Sequence, residues 1–221
     1  MIEIVYTQRA IESKDWASML FILCFVLITV NKAIFGNRFV EFTKLGFSNK
    51  YIKIYKDSSN LLSWFTISFF IIQVISFAFL IQLLLSYFGF AEKTNVVTYI
   101  QIVTFLCAFI LSKYLIEKII ATAFNIEEIN DRLNLYKVSY RTYIGFLLLP
   151  INIILFYNQA PPILVIFLII GLVLTTSVAS YGFSLKIHQK FIMDKLFYFI
   201  LYLCTLEIAP YYFIYYWFTK T

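Results

Sequence analysis

Charge is scarce in this chain. Only 14% of its 221 residues are Asp, Glu, Lys or Arg, against about 25% in a soluble domain. A water-facing surface built from such a chain would carry large oily patches. Glycine is also rare, at six residues, which argues against the glycine-rich loops that cradle phosphates or dinucleotides. There is one histidine, His188 in KIHQK, with no specified partner for metal ligation or general base work. Neither HExxH nor GxSxG occurs. The three cysteines, Cys24, Cys107 and Cys204, lie in apolar runs at spacings that fit no metal site and no CxxC pair. They read as small apolar packing residues.

What is present is apolar. Hydrophobic residues make up 62% of the chain and aromatics 20%, with a mean hydropathy of +0.83. This is the composition of a polytopic membrane protein. The apolar runs lack the alternation of a transmembrane barrel, so their backbone must be satisfied within helices. Runs near the roughly 20 residues that cross a bilayer fall at about 16–35, 61–88, 96–115, 143–157, 163–185 and 196–218. The expected fold is therefore an all-α bundle of six transmembrane helices in one domain over 1–221. The first run is long for a signal-peptide core and no A-x-A-like site follows it, so it reads as a retained helix. The fourth run is the shortest and carries Pro150 and Asn152.

Lysine and arginine set the expected orientation. Lys32, Arg38, Lys44, Lys50, Lys53 and Lys56 follow the first run. Lys113, Lys118, Arg132, Lys137 and Arg141 follow the third, and Lys186, Lys190 and Lys195 follow the fifth. Only Arg9, Lys14, Lys93 and Lys220 lie on the other side. The positive-inside rule puts the larger set in the cytoplasm and both termini on the non-cytoplasmic side. The net charge of +6 is explained by this asymmetry, and nucleic-acid binding is not required.

The segment RFVEFTKLGFSNKYIKIYKD, after the first run, mixes aromatics with lysines. Tyr51, Ile52 and Tyr55 share a helical face, and Lys44, Lys50, Lys53 and Lys56 are placed to reach anionic headgroups. This is the expected basic interfacial segment. Asp57, Ser58 and Ser59 are N-cap candidates for the second span. After the third span, Lys113 and Glu117 form an i,i+4 pair on a helix expected to leave the membrane. NIEEINDRLNLYK then reads as a polar cytoplasmic stretch. Its EEINDR fits the EExxxR pattern of intramembrane CAAX-protease-like enzymes. That family also needs two histidine motifs, and the lone His188 has Ser184 four residues before it. The pattern is read as a solvated helix face, and no catalytic residue is assigned.

Polar residues inside apolar runs are the remaining candidates. Gln73, Gln82, Gln101 and Asn152 are expected either to pack by interhelical hydrogen bonds or to line a polar path. Gly171, Thr175 and Ala179 recur every four residues as a small-residue packing stripe. Glu207 is the one acid expected deep in an apolar run, beside Pro210, which frees the Leu206 carbonyl and kinks the helix. Inserting an acid at a bilayer centre costs about 2.5–3.5 kcal/mol, and desolvation favours its protonated form. Glu207 is thus a candidate proton or partner site. No metal or cofactor is implied.

GFSNKYIKIYKDSSNLLSWF and VSYRTYIGFLLLPINIILFY, with the six-run hydropathy, resemble a small bacterial inner-membrane family whose defining domain has no assigned function. The shared features are aromatics with Asn49, Asp57, Ser63 and Pro150. The resemblance implies a multi-pass protein of the bacterial cytoplasmic membrane and a cell-envelope role. Three functions fit. The first is a non-enzymatic subunit of a secretion, motor or transport complex, partnered by lipid and other membrane proteins. The second is a proton-coupled transporter element using Glu207. The third is an accessory subunit in lipid or polyprenyl-phosphate processing.

Overall fold

The computed structural model describes residues 14–48, 50–55, 63–123 and 127–158, together with Gly171 and Tyr216; residues 128, 129 and 132 are described by backbone alone. Six helices lie in this part: α1 (Asp15–Ile34), α2 (Gly36–Thr43), α3 (Lys50–Ile54), α4 (Trp64–Tyr87), α5 (Val96–Ala123) and α6 (Glu127–Tyr157). No strand occurs among the described residues. Four helices are long and apolar enough to cross a membrane: α1, α4, α5 and the Leu133–Tyr157 part of α6. At about 1.5 Å per residue, the 24 residues of α4 exceed the roughly 30 Å hydrocarbon core of a bilayer. The runs expected at 163–185 and 196–218 lie outside the described residues, apart from Gly171 and Tyr216.

Helix α4 is the hub, packing against α1, α5 and most extensively α6. Phe65, Phe69, Ile72, Gln73, Ala78 and Phe79 are all buried along it. Two aromatic clusters mark its ends. Near its C-terminus, Phe79 stacks on Trp16 and Phe21 of α1 and meets Tyr99 of α5 and Phe156 of α6. Near its N-terminus, Phe65 and Phe69 pack with Phe42 of α2, and Phe69 also meets Phe146 of α6. Each ring buries a large apolar surface in an offset or edge-on contact.

The segment expected at the interface folds as α2 and α3. Tyr51 and Ile52 are buried, whereas Lys44, Lys50 and Lys53 are exposed. Lys50 pairs with Glu41 at 3.1 Å, and with this much exposure the pair contributes little. Lys56 lies outside the described residues. So do the N-cap candidates Asp57, Ser58 and Ser59, and the observed N-cap of α4 is Ser63, whose Oγ accepts from the Thr66 N–H.

Two expectations change. The fourth span does not begin at 143: α6 runs unbroken from Glu127, and its apolar stretch begins at Leu133. The polar stretch before it is solvated only in part: Glu127 is exposed, whereas Asn130 and Asn134 are buried. Helix α5 runs to Ala123, and α6 packs against it there, so both helices bury polar residues against each other. Pro150 sits within α6 without ending it. Its side is exposed, so the carbonyl of Phe146, left without its helical donor, is the local cost.

Candidate functional site: a polar cleft between α4, α5 and α6

A cleft of about 160 Å³ opens between the three helices at the end of the bundle that carries α2 and α3. Its lining follows helical periodicity on each element. From α6 come Asn134, Lys137, Val138 and Arg141; from α5, Ile110, Leu111, Lys113, Tyr114 and Glu117; from α4, Thr66, Ile67, Phe70 and Gln73. The i, i+3, i+4, i+7 spacing on α6 and α5 is what places each set on one face.

The charges are largely out of water. Glu117 is 3% exposed and Lys113 8%, and Lys137 donates to the Glu117 carboxylate at 3.4 Å. The Lys113 and Glu117 side chains expected to pair along α5 are both buried, and Glu117 is bridged across the helix interface from α6. Glu117 is thus a buried acid within the bundle. A buried carboxylate needs such a partner, since the alternative is an uncompensated charge in a poorly solvating interior. Lys113 and Lys137 hold further partners within the protein.

Three polar groups on the cleft stand without partners among the described residues. Asn134 is 2% exposed, and its Nδ2 donor meets no acceptor. Gln73, equally buried, makes no hydrogen bond through its amide. The half-buried Arg141 guanidinium has neither a hydrogen bond nor an ion pair. Buried donors are normally satisfied, and one left without an acceptor costs about 1–3 kcal/mol. The cleft therefore offers donors to an acceptor-bearing ligand.

A second buried cation organises the neighbouring corner. Arg38 of α2 donates to Ser63 Oγ at 2.9 Å, to Thr66 Oγ1 at 3.3 Å and to the Tyr51 hydroxyl at 3.3 Å. Its Cζ lies 4.7 Å from the Phe65 ring centre and 4.9 Å from that of Tyr55. Burial pushes the Tyr51 phenol above its usual value, with Arg38 opposing the shift. This arrangement ties α2 and α3 to the N-cap of α4.

The remaining sequence candidates separate. Gln82 is buried at the opposite end of α4, donating to the Asn95 carbonyl at 2.8 Å. Gln101 is exposed on α5. Among the described residues, Gln73, Gln82 and Gln101 therefore lie on separate surfaces and line no shared path. Asn152, fully buried, donates to the Ser76 carbonyl at 2.7 Å and links α6 to α4. Gly171 is exposed; Thr175, Ala179, Glu207 and Pro210 lie outside the described residues. Among the described residues no three His, Cys, Asp or Glu side chains converge as a metal site would require. Sequence reasoning overlooked Arg141, Asn134 and Arg38 as site residues. The recurrence of polar residues at 134, 137 and 141 is the signal that would have found the first two.

Four long apolar helices, three of them lining a polar cleft, define the class, a helical membrane protein. The chain belongs to the family of DUF4271, a domain of unknown function, whose profile matches residues 17–218. No curated protein and no solved structure matches it.

Proposed function

We propose that this protein is an integral subunit of a bacterial cell-envelope assembly in the cytoplasmic membrane, acting by binding rather than by catalysis. In this reading it has six spans with both termini outside, and the α4–α5–α6 cleft receives an anionic group at the cytoplasmic side. The observation that carries the reading is the pair of donors without acceptors on one cleft wall, Arg141 and the Asn134 amide. The side assignment is supported by the basic residues of α2, α3, the α5 C-terminus and the α6 N-terminus. Binding energy at such a site comes from charge-assisted hydrogen bonds, which can join a subunit to its ligand without bond chemistry.

The test is isolation of the tagged full-length chain from its native membrane in mild detergent, with mass spectrometry of what accompanies it. Membrane-protein partners at fixed stoichiometry are expected, together with an anionic species whose retention falls in Arg141→Gln. A lone chain carrying no anionic species would overturn the reading.

A further inference from the structure

We infer that the ligand of the α4–α5–α6 cleft is the phosphate of an anionic membrane lipid, one whose headgroup brings no cation to the cleft lysines and arginine, held by Arg141 and Asn134 with its acyl chains leaving past Ile67 and Leu111. This rests on the anion-binding reading above and names its ligand.

Arg141 and Asn134 lie seven residues apart on α6 and line the same cleft. Two turns separate them by about 10 Å along the axis. Helical side chains lean toward the N-terminus, which carries the long Arg141 side chain toward Asn134. The guanidinium fork suits a phosphate with two oxygens available, and the Asn134 Nδ2 adds a further donor from a position 2% exposed. Gln73 supplies an additional amide from α4. Lys113 and Lys137 already have partners in the protein. They contribute positive potential, moderated by Glu117.

The remaining wall distinguishes a lipid from a free anion. Ile67, Phe70, Ile110 and Leu111 line the cleft beside the donors. Ile67 and Leu111 are 39% and 51% exposed, so the apolar wall continues onto the outside of α4 and α5. Both helices are long and apolar enough to lie at bilayer level there. A dissolved phosphate gains nothing from this wall. A lipid can lay its first methylenes along it and keep its acyl chains in the bilayer, so its phosphate reaches the donors without its chains leaving an apolar environment. Phosphate is the anion that bilayer lipids present at this depth.

The experiment uses the full-length chain in nanodiscs of three kinds: phosphatidylcholine alone, phosphatidylcholine with phosphatidylglycerol, and phosphatidylcholine with added inorganic phosphate. Thermal unfolding is followed by intrinsic fluorescence, and bound lipid is counted by native mass spectrometry. Phosphatidylglycerol is expected to raise the midpoint and to remain bound. Arg141→Gln should weaken retention on the order of tenfold, the loss of one charge-assisted hydrogen bond, and Arg141→Lys should retain part of it. Asn134→Leu removes a buried donor that has no acceptor, so it should fold at least as well as the native chain in phosphatidylcholine while losing the phosphatidylglycerol shift. If inorganic phosphate stabilises as well as phosphatidylglycerol, and through Arg141, the cleft binds a free anion; the lipid assignment is then overturned and the anion-binding reading stands. If phosphatidylglycerol stabilises the native chain and all three variants equally, the lipid acts elsewhere and the proposal is overturned. If no anion shifts the native chain, the proposal and the reading beneath it both fail.

Discussion

Gly145 of α6 lies directly against Gln73 of α4: a Cβ built on the glycine would come within 2.7 Å of the Gln73 Cα. The obstacle is backbone, which cannot swing aside as a flexible side-chain end could. Small residues at such crossings let membrane helices approach closely. Here the close approach also holds Gln73 at the deep end of the cleft. Gly145→Ala should therefore destabilise the bundle by about 1–3 kcal/mol, read as a lower unfolding midpoint in detergent. Gly36→Ala, where a Cβ meets nothing within 4 Å, should stay within about 0.5 kcal/mol of the native chain. Equal effects at the two sites would remove the argument for a tight crossing.

The Glu117–Lys137 bridge should behave as a coupled pair. Glu117→Gln removes the carboxylate that Lys137 faces at 3.4 Å, and loss of one partner of a buried pair costs about 3–5 kcal/mol. Removing both, as in Glu117→Gln with Lys137→Met, should cost less than the two single losses added together. A double-mutant cycle on urea or thermal unfolding is expected to give a coupling of about 0.5–3 kcal/mol. Strict additivity would mean that the bridge is not made in solution.

Arg38→Lys keeps a positive charge but replaces a planar fork by a point charge. The ammonium cannot reach Tyr51, Ser63 and Thr66 together while stacking on Phe65 and Tyr55. Two lost hydrogen bonds at about 0.5–1.5 kcal/mol each predict a loss of about 1–3 kcal/mol. The loss should be local first, seen as faster protease cleavage of the α2–α3 segment at unchanged global helicity. Undiminished protection would show that Arg38 does not hold the segment down.

Alkaline pH should loosen the same corner. Burial raises the Tyr51 phenol above its unfolded value, which is about 10. The folded state therefore holds the Tyr51 proton more tightly than the unfolded state. That contribution is complete below about pH 10 and is lost as pH rises through the folded value. Tyr51→Phe cannot ionise, so the stability advantage of the native chain over this variant should shrink above about pH 10. Thermal midpoints of the two chains measured from neutral to alkaline pH provide the check, and a constant difference would contradict it.

The long apolar runs made α1, α4 and α5 legible, because hydrocarbon length and backbone satisfaction leave a run of that composition few alternatives. The amphipathic face of Tyr51, Ile52 and Tyr55 was legible from spacing, and two of the three are buried. The start of α6 was not. Asn130, Asn134 and Lys137 lower the local hydropathy, so composition reads a loop where periodicity reads a helix. Asn130 and Asn134 are buried and Lys137 bridges to Glu117 of α5, and a single sequence does not reveal which distant helix will cover them. The same blindness hid Arg141, which counts as one more cytoplasmic charge until α4 and α5 are packed around it. Gln73, Gln82 and Gln101 looked equivalent in the sequence; only tertiary packing distributes them to the cleft, the far end and an exposed face.

The hub position of α4 sets an order on biogenesis. Ser76 and Asn152, joined by a hydrogen bond in the finished bundle, are 76 residues apart in the chain. At about 5–20 residues per second, the ribosome needs roughly 4–15 s to make that interval. During it α4 has left the ribosome with Gln73 and Gln82 in its apolar span while the helix that covers it is still being translated. A newly made α4 must therefore be sheltered by the insertion machinery, or wait at the edge of the bilayer, until α6 arrives.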